Sequence, residues 1–533
     1  MPCRALGVKA VDKGFRQYPR NGLVIADRVF PRDDLANAVL WVDGIIQTIG
    51  RAGELRKQAP PHCPVFEFPH ATLTAGFIDS HTHFAQWALK RRQVDLVGAS
   101  TLAEAVARVA SAEPVHDWIL GQGWNANDWA EPPTRAALDA VTTAPVFLDS
   151  LDVHAAWVNS AALQRAGISA ATPDPEGGRI VRDAAGAPTG VLLELAVDLV
   201  RRVVPSPTED ALKEALLAGQ RTAHQLGVTG IHDVEELAVL RAFRRLEQDD
   251  ELRMRVLFHP PVADLAGLIS QGMRSGEGSA WLTSGGVKLF LDGSLGSQTA
   301  WMLEPYEGSR DRGMPLTAGD SAAVAVRLAA QHGIAATVHA IGDAAVRHAI
   351  EILEPLPRVG VPHRIEHFQC VHPHDLDRAA RAGIVLSMQP AHLLVDIPLA
   401  DRHWGRRGRG AYAFHTLASH GSLLAFGSDA PVAPLDPRPG VYSAMDRRAL
   451  GGGGDAAWYG AERLSFEDVV TAYTRTPAFA AGWSPRLGTL RPGAAADLVA
   501  WDIDPAVFTG DGEAFLAARV RLTVVDGEIV VQS

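Results

Sequence analysis

A chain of 533 residues is too long for one ordinary hydrophobic core, so a large domain carrying at least one attached module is expected. Hydrophobic residues at 47% and charged residues at 21% exclude a disordered or fibrous chain. A net charge of −11 argues against a nucleic-acid partner, because phosphate binding needs a positive face. The one basic run, residues 402–409 (RHWGRRGRG reads on through 410), is expected to be a Gly-rich solvated loop. Cys3, Cys63 and Cys370 are scattered and show neither metal nor disulfide spacing. The first residues carry no apolar secretory segment, and no apolar run is long enough to span a membrane. A reducing cytoplasm is therefore the expected location, with no membrane partner.

In chain order, residues 22–30 (GLVIADRVF) and 38–50 (AVLWVDGIIQTIG) are strand-like, the second interrupted by Asp43-Gly44. The C-terminal end mirrors them: residues 496–501 (ADLVAW) precede 520–531 (VRLTVVDGEIVV), interrupted by Asp526-Gly527. Asp-Gly between apolar strands marks a hairpin, since a type I′ turn needs positive φ at both central residues. The two ends are expected to form a small β-sandwich together. Between them, strand-like runs alternate with helical segments at 75–83, 228–234, 254–260, 287–292, 335–340, 364–369, 384–389 and 423–429. Eight such βα units predict an α/β fold, a (β/α)8 barrel of the TIM type. A ninth strand-like run, 145–151, falls in the long interval after the first unit; counting it and dropping 254–260 gives an alternative eight. The expected organisation is 1–70 and 486–533 as the small β domain, 71–87 as the first barrel strand, 88–205 as an insertion, and 206–485 as the rest of the barrel.

His81 and His83 stand at i and i+2 at the end of the first barrel strand, so both imidazoles face one side. Barrel enzymes place their active sites at that end of the strands. His339, His367 and Asp429 end three further runs, and Lys288 lies in a fourth. Imidazoles and a carboxylate gathered at strand ends suit zinc and similar divalent ions. Lys288, Phe290 and Asp292 share one strand face, so either Lys288 or Asp292 is the inward polar group. His232 and His259, near the ends of the second and third strands, are open to metal contact, substrate contact or packing. In the segment 363–367 only His367 is expected to point inward.

The run Thr74-Ala75-Gly76-Phe77-Ile78-Asp79-Ser80-His81-Thr82-His83 resembles the first-strand signature of the amidohydrolase superfamily. Gly123-Trp124-Asn125, residues 152–160 (DVHAAWVNS), 173–178 (PDPEGG), 188–194 (PTGVLLE), 292–297 (DGSLGS) and 338–343 (VHAIGD) narrow it to amidohydrolase family 3, the N-substituted formamide deformylase-like group. The resemblance runs over nearly the whole chain. It implies one or two divalent metals, zinc foremost, with His81, His83 and Asp429 at a first site and His339 and His367 at a second. It also implies that Lys288 is N6-carboxylated and bridges the metals; if Lys288 is unmodified, a single ion on His81, His83, His339 and Asp429 is the simpler set. Substrate contacts are expected from Trp124, Asn125, His154 and Glu194 in the insertion.

The implied activity is hydrolysis of a non-peptide carbon–nitrogen bond of a small-molecule substrate, with Asp429 as general base and then general acid. The same site also suits a lactone, a cyclic urea, a deaminated ring carbon, or a metal-assisted isomerisation or decarboxylation. Trp124, Trp129, Trp157 and Trp301 are available as apolar walls. A homodimer is allowed for.

Overall fold

The computed structural model describes residues 20–31, 35–115, 117–126, 129–150, 155–175, 177–317, 320–450, 456–504 and 512–533. The chain is α/β and divides into two compact units, one made of Met1–Phe84 with Leu217–Ser533, the other of Ala85–Leu216.

Eight parallel strands organise the first unit: β1 (Phe77–Thr82), β2 (Val228–Val234), β3 (Arg255–His259), β4 (Val287–Phe290), β5 (Ala336–Ala340), β6 (Arg364–His367), β7 (Val385–Met388) and β8 (Leu423–Phe426). Each coincides with one of the eight runs expected from sequence. Neighbours pair in chain order from β1 to β3 and from β4 to β8, always parallel. A three-residue strand that the pattern did not signal, Leu282–Ser284, pairs with β3. Isolated parallel bridges, Thr82 with Ala430 and Pro261 with Lys288, link the two sheets at both edges. Nearly every residue of these strands is buried, which is why they read as continuous apolar runs rather than alternating ones. Helices follow the strands, as between β5 and β6, where Asp343–Leu353 turns Ala345, Val346, Ala349 and Ile350 inward.

Both Asp-Gly turns form as expected. Asp43 and Gly44 have φ of 50° and 79°, and Asp526 and Gly527 have 50° and 80°. The turns lie against each other, and a Cβ on Gly527 would stand 2.5 Å from the Gly44 Cα, so only glycine fits there. Gly22–Ile25, Ala38–Val42, Ile45–Gly50 and Val65–Glu67 form one sheet. A second joins the chain ends, with Thr72–Ala75 antiparallel to Leu498–Trp501. Val24 and Trp41 of the first sheet share an apolar cluster with Leu73, Leu498 and Leu522 of the second. Arg255, at the start of β3, is buried and holds Asp497 at 3.0 Å and Asp526 at 2.9 Å, tying the parallel strands to the C-terminal strands.

The second unit is a six-stranded mixed sheet that includes Ile119–Trp124, Val146–Ser150 and Pro188–Glu194. The ninth strand-like run of the sequence belongs here, as Val146–Ser150. Trp124, Trp129 and Trp157 pack ring to ring at centroid distances of 5.9 to 6.4 Å within its core. In the first unit, the basic run is not the open loop expected: Leu393–His403 is helix, Gly405–Gly410 is 3-10 helix, and the Arg407 guanidinium donates to the carbonyls of Glu304 and Pro305.

Candidate metal centre

The C-terminal ends of the parallel strands bring together the side chains that sequence singled out. β1 delivers His81 and His83, whose Nε2 atoms both stand 3.4 Å from one oxygen of Asp429. Asp429 follows β8, and its backbone N–H donates to the His81 carbonyl at 2.7 Å, while His83 N–H donates to the Ala430 carbonyl at 2.8 Å. The strand ends come this close because residue 427 is glycine: a Cβ there would lie 2.4 Å from the His81 nitrogen. Ligand atoms of His81, His367 and Asp429 all lie within 4.8 Å of one another. The His339 ring centroid is 4.4 Å from that of His367.

Each imidazole has one nitrogen engaged and the other facing inward, or one buried nitrogen without a partner. His83 Nδ1 donates to the Val234 carbonyl at 2.7 Å, and His81 Nδ1 donates to the Glu366 carboxylate. Both rings are thereby fixed with Nε2 as the lone-pair atom. His339 Nε2 donates to the Gly293 carbonyl at 3.1 Å, leaving its buried Nδ1 unsatisfied; His367 Nδ1 is likewise buried and unsatisfied. Burial drives the His81 imidazole down to about 4 and that of His339 to about 3, so both are neutral near pH 7, whereas burial at His83 is outweighed by the neighbouring Asp429 carboxylate, which raises that imidazole above its ordinary value. Burial opposes ionisation of Asp429 as well, yet His81, His83, His367 and His392 around it hold the carboxyl far below its ordinary range.

Lys288 is buried, and burial pulls its amine down to about 8. Asp292 accepts backbone N–H groups from Trp301, Ile341 and Gly342 at 2.8–3.0 Å and also has Oδ1 3.5 Å from His339 Nε2, so both Lys288 and Asp292 are buried polar groups on the cluster's side of the strand. Trp301 is half-buried with its ring against His348.

Two site residues escaped the sequence reading. Glu366 is fully buried, accepts from His81 and from Arg364 (3.1 Å to Nη2), and stays ionised against its burial because of those partners. Strict alternation hid it, since Glu366 and His367 are neighbours and only one was expected inside. Positive φ at His367 (69°) and Phe368 (44°) breaks the alternation and lets both reach the cluster. His392, on the 3-10 turn Pro390–His392 after β7, places Nε2 3.9 Å from the second Asp429 oxygen. A lone His after Gln389-Pro390-Ala391 offered no strand-end signal. His232 and His259 lie below the cluster in a buried polar layer: His232 Nδ1 is 2.7 Å from Arg364 Nη1, and His259 Nδ1 is 2.9 Å from Thr337 Oγ1.

The residues expected to contact substrate lie in the second unit. Trp124 is buried there, its indole N–H donating to the Leu148 carbonyl at 2.9 Å. Asn125 and Glu194 are exposed, and His154 lies outside the described residues. That unit also holds a cavity of about 670 Å³, lined by Trp118, Ile119, Arg92 and Arg108 among others, with no metal-ligating cluster among its described residues.

Residues 70–531 match the amidohydrolase family. The chain belongs to that family. It is 33% identical over 519 residues to "Putative amidohydrolase YtcJ" of Bacillus subtilis (strain 168), covering 94% of this chain and 96% of that protein. It is 27% identical over 529 residues to N-substituted formamide deformylase of Arthrobacter pascens, covering 93% and 95%. Among solved structures it is similar to an uncharacterized metal-dependent hydrolase from Pyrococcus horikoshii OT3, with a TM-score of 0.77 and 26% identity over 92% of this chain and 99% of that one.

Proposed function

We propose that this amidohydrolase-family chain is a metal-dependent hydrolase of a non-peptide, amide-type carbon–nitrogen bond, built on β1–β8 closed as a (β/α)8 barrel. The observation that carries the reading is the convergence of His81 Nε2 and His83 Nε2 on one Asp429 oxygen, each at 3.4 Å. Each imidazole nitrogen thus has from that oxygen the spacing of about 3.4 Å that two donors to one divalent ion would have. The unsatisfied Nδ1 atoms of His339 and His367 supply two further donors, and an orphaned buried nitrogen is costly unless something binds it. Imidazole with carboxylate favours zinc. The names of the P. horikoshii and A. pascens relatives point the same way.

His81, His83 and Asp429 would hold a divalent ion, which when bound would supply carbonyl polarisation and a lowered pKa for water. The chain's own residues do the rest. Asp429, kept ionised by the surrounding imidazoles, accepts the proton of the attacking water and passes it to the departing nitrogen. Glu366 fixes the tautomer of His81. Lys288 is the group that would carry the bridging carbamate. Its amine, near 8, has a larger neutral fraction at pH 7 than a solvent-exposed lysine, and carboxylation needs the neutral form. With Lys288 unmodified, His81, His83, His339 and Asp429 remain as a one-ion set.

The test is a screen of N-formyl, N-acyl and cyclic amides against the zinc- or manganese-loaded protein, with lactones alongside. Release of amine and acid is expected. Hydrolysis of lactones alone would move the reaction off the carbon–nitrogen bond.

A further inference from the structure

Phe290 breaks the burial pattern of its strand. Val287, Lys288 and Leu289 are buried, whereas Phe290 is 45% exposed. Alternation puts Phe290 on the same face as Lys288, and the contacts agree. Its ring centroid lies 4.8 Å from Lys288 Nζ and 5.1 Å from the His339 ring, and His339 is its register partner in β5. An aromatic ring therefore faces inward, directly against two residues of the candidate metal centre, and still meets solvent.

Further exposed apolar residues follow the same strand ends along the chain. Leu316, 53% exposed, donates its N–H to the Leu291 carbonyl at 2.8 Å, next to Phe290 in the chain. Val432, 71% exposed, donates to the Asp429 carbonyl at 2.8 Å. Val395, 67% exposed, follows His392 by three residues on the next helix. A large apolar ring left open beside convergent polar ligands, as Phe290 is, is what a binding site for a partly apolar small molecule presents.

We propose that Phe290 is a specificity-determining residue whose ring face receives a planar, apolar substituent on the substrate, carried within about one ring length of the bond at the metal centre. The substrate class becomes an amide with an aryl or similarly flat apolar group. Ring against ring at centroid distances of about 4.5–7 Å supplies the selectivity. The inference rests on the hydrolase reading for its substrate class, but the ring's preference is measurable without turnover.

The experiment compares benzohydroxamate with acetohydroxamate, two metal-seeking probes that differ in the aryl group, by calorimetric titration of the zinc-loaded full chain. kcat/KM for acetanilide against N-methylacetamide is measured in parallel. The wild type should favour the aryl member of each pair by about tenfold, and Phe290→Ala should bring the ratio within about twofold, while Phe290→Tyr restores it. Metal content equal to the wild type's shows that a variant is folded; should Phe290→Ala fail that check, Phe290→Leu carries the same reading. A wild type without aryl preference, or a ratio that survives removal of the ring, overturns the proposal. If neither amide is hydrolysed, the amide reading fails on its own, and the hydroxamate ratio still decides the role of Phe290.

Discussion

The two units differ in how they use the same kinds of residue. In the first, histidines stand at the ends of buried parallel strands with nitrogens fixed by Glu366, Val234 and Gly293. In the second, aromatic rings fill a core, and the described cavity of about 670 Å³ is lined by ordinary packing and surface groups. The cavity carries no metal-ligating cluster among the described residues, whereas the strand ends gather imidazoles that have one nitrogen held by a carbonyl or carboxylate.

The largest effect is expected at Asp429. Asp429→Asn should cut kcat at least about 10³-fold, the scale of losing a group that moves the proton in the transition state, with thermal stability close to wild type. Comparable turnover in that variant would remove the distinction between the units. In the second unit, Trp157→Ala, at a fully buried site, should cost about 3–5 kcal/mol of that unit's stability and leave metal content unchanged. Denaturant titration with metal analysis checks both halves. Glu366→Gln should sharpen the picture further: loss of the carboxylate behind His81 should weaken metal affinity about 10–100-fold, read by competition with a chelating dye.

The smallest effect is on pH dependence of the metal-free protein. Burial lowers His81, His224 and His339 to about 4, 4 and 3, and raises Asp79 and Asp292 to about 7. Between the folded and unfolded histidine values the unfolded chain binds three protons that the folded chain refuses. Asp79, Asp292 and Asp233, the last raised well above its ordinary value by burial, oppose this by about three, with further upward shifts at Asp149, Asp343 and Asp396. His232, His259 and His367 are lowered as well and add to the histidine side. The unfolded state therefore holds more protons, and stability should fall as pH drops from about 6.5 toward 4. A thermal midpoint that rises over that range would contradict the balance.

Much of the fold was legible because parallel strands buried on both faces leave unmistakable apolar runs, and all eight appeared where the sequence put them. Leu282–Ser284 was not, being three residues inside a turn-rich stretch. Asp-Gly pairs announced both terminal hairpins through their demand for positive φ. At the site, His81, His83, His339, His367 and Asp429 were readable as strand ends. Glu366 was not, because the left-handed turn at His367 defeats the two-residue period on which the reading depended. His392 was hidden differently: it reaches Asp429 from a 3-10 turn, where no periodicity assigns a face. Trp124, expected to contact substrate, is buried at the end of a strand with its ring against Trp129 and Trp157.

Whether the strand ends hold a divalent ion is read by mass-spectrometric metal analysis of protein purified without chelator. About one or two divalent ions per chain are expected in the wild type, falling below about a fifth of that when His81 and His83 are both replaced by alanine. A metal-free wild type, or a double variant that keeps the full complement, would contradict the account.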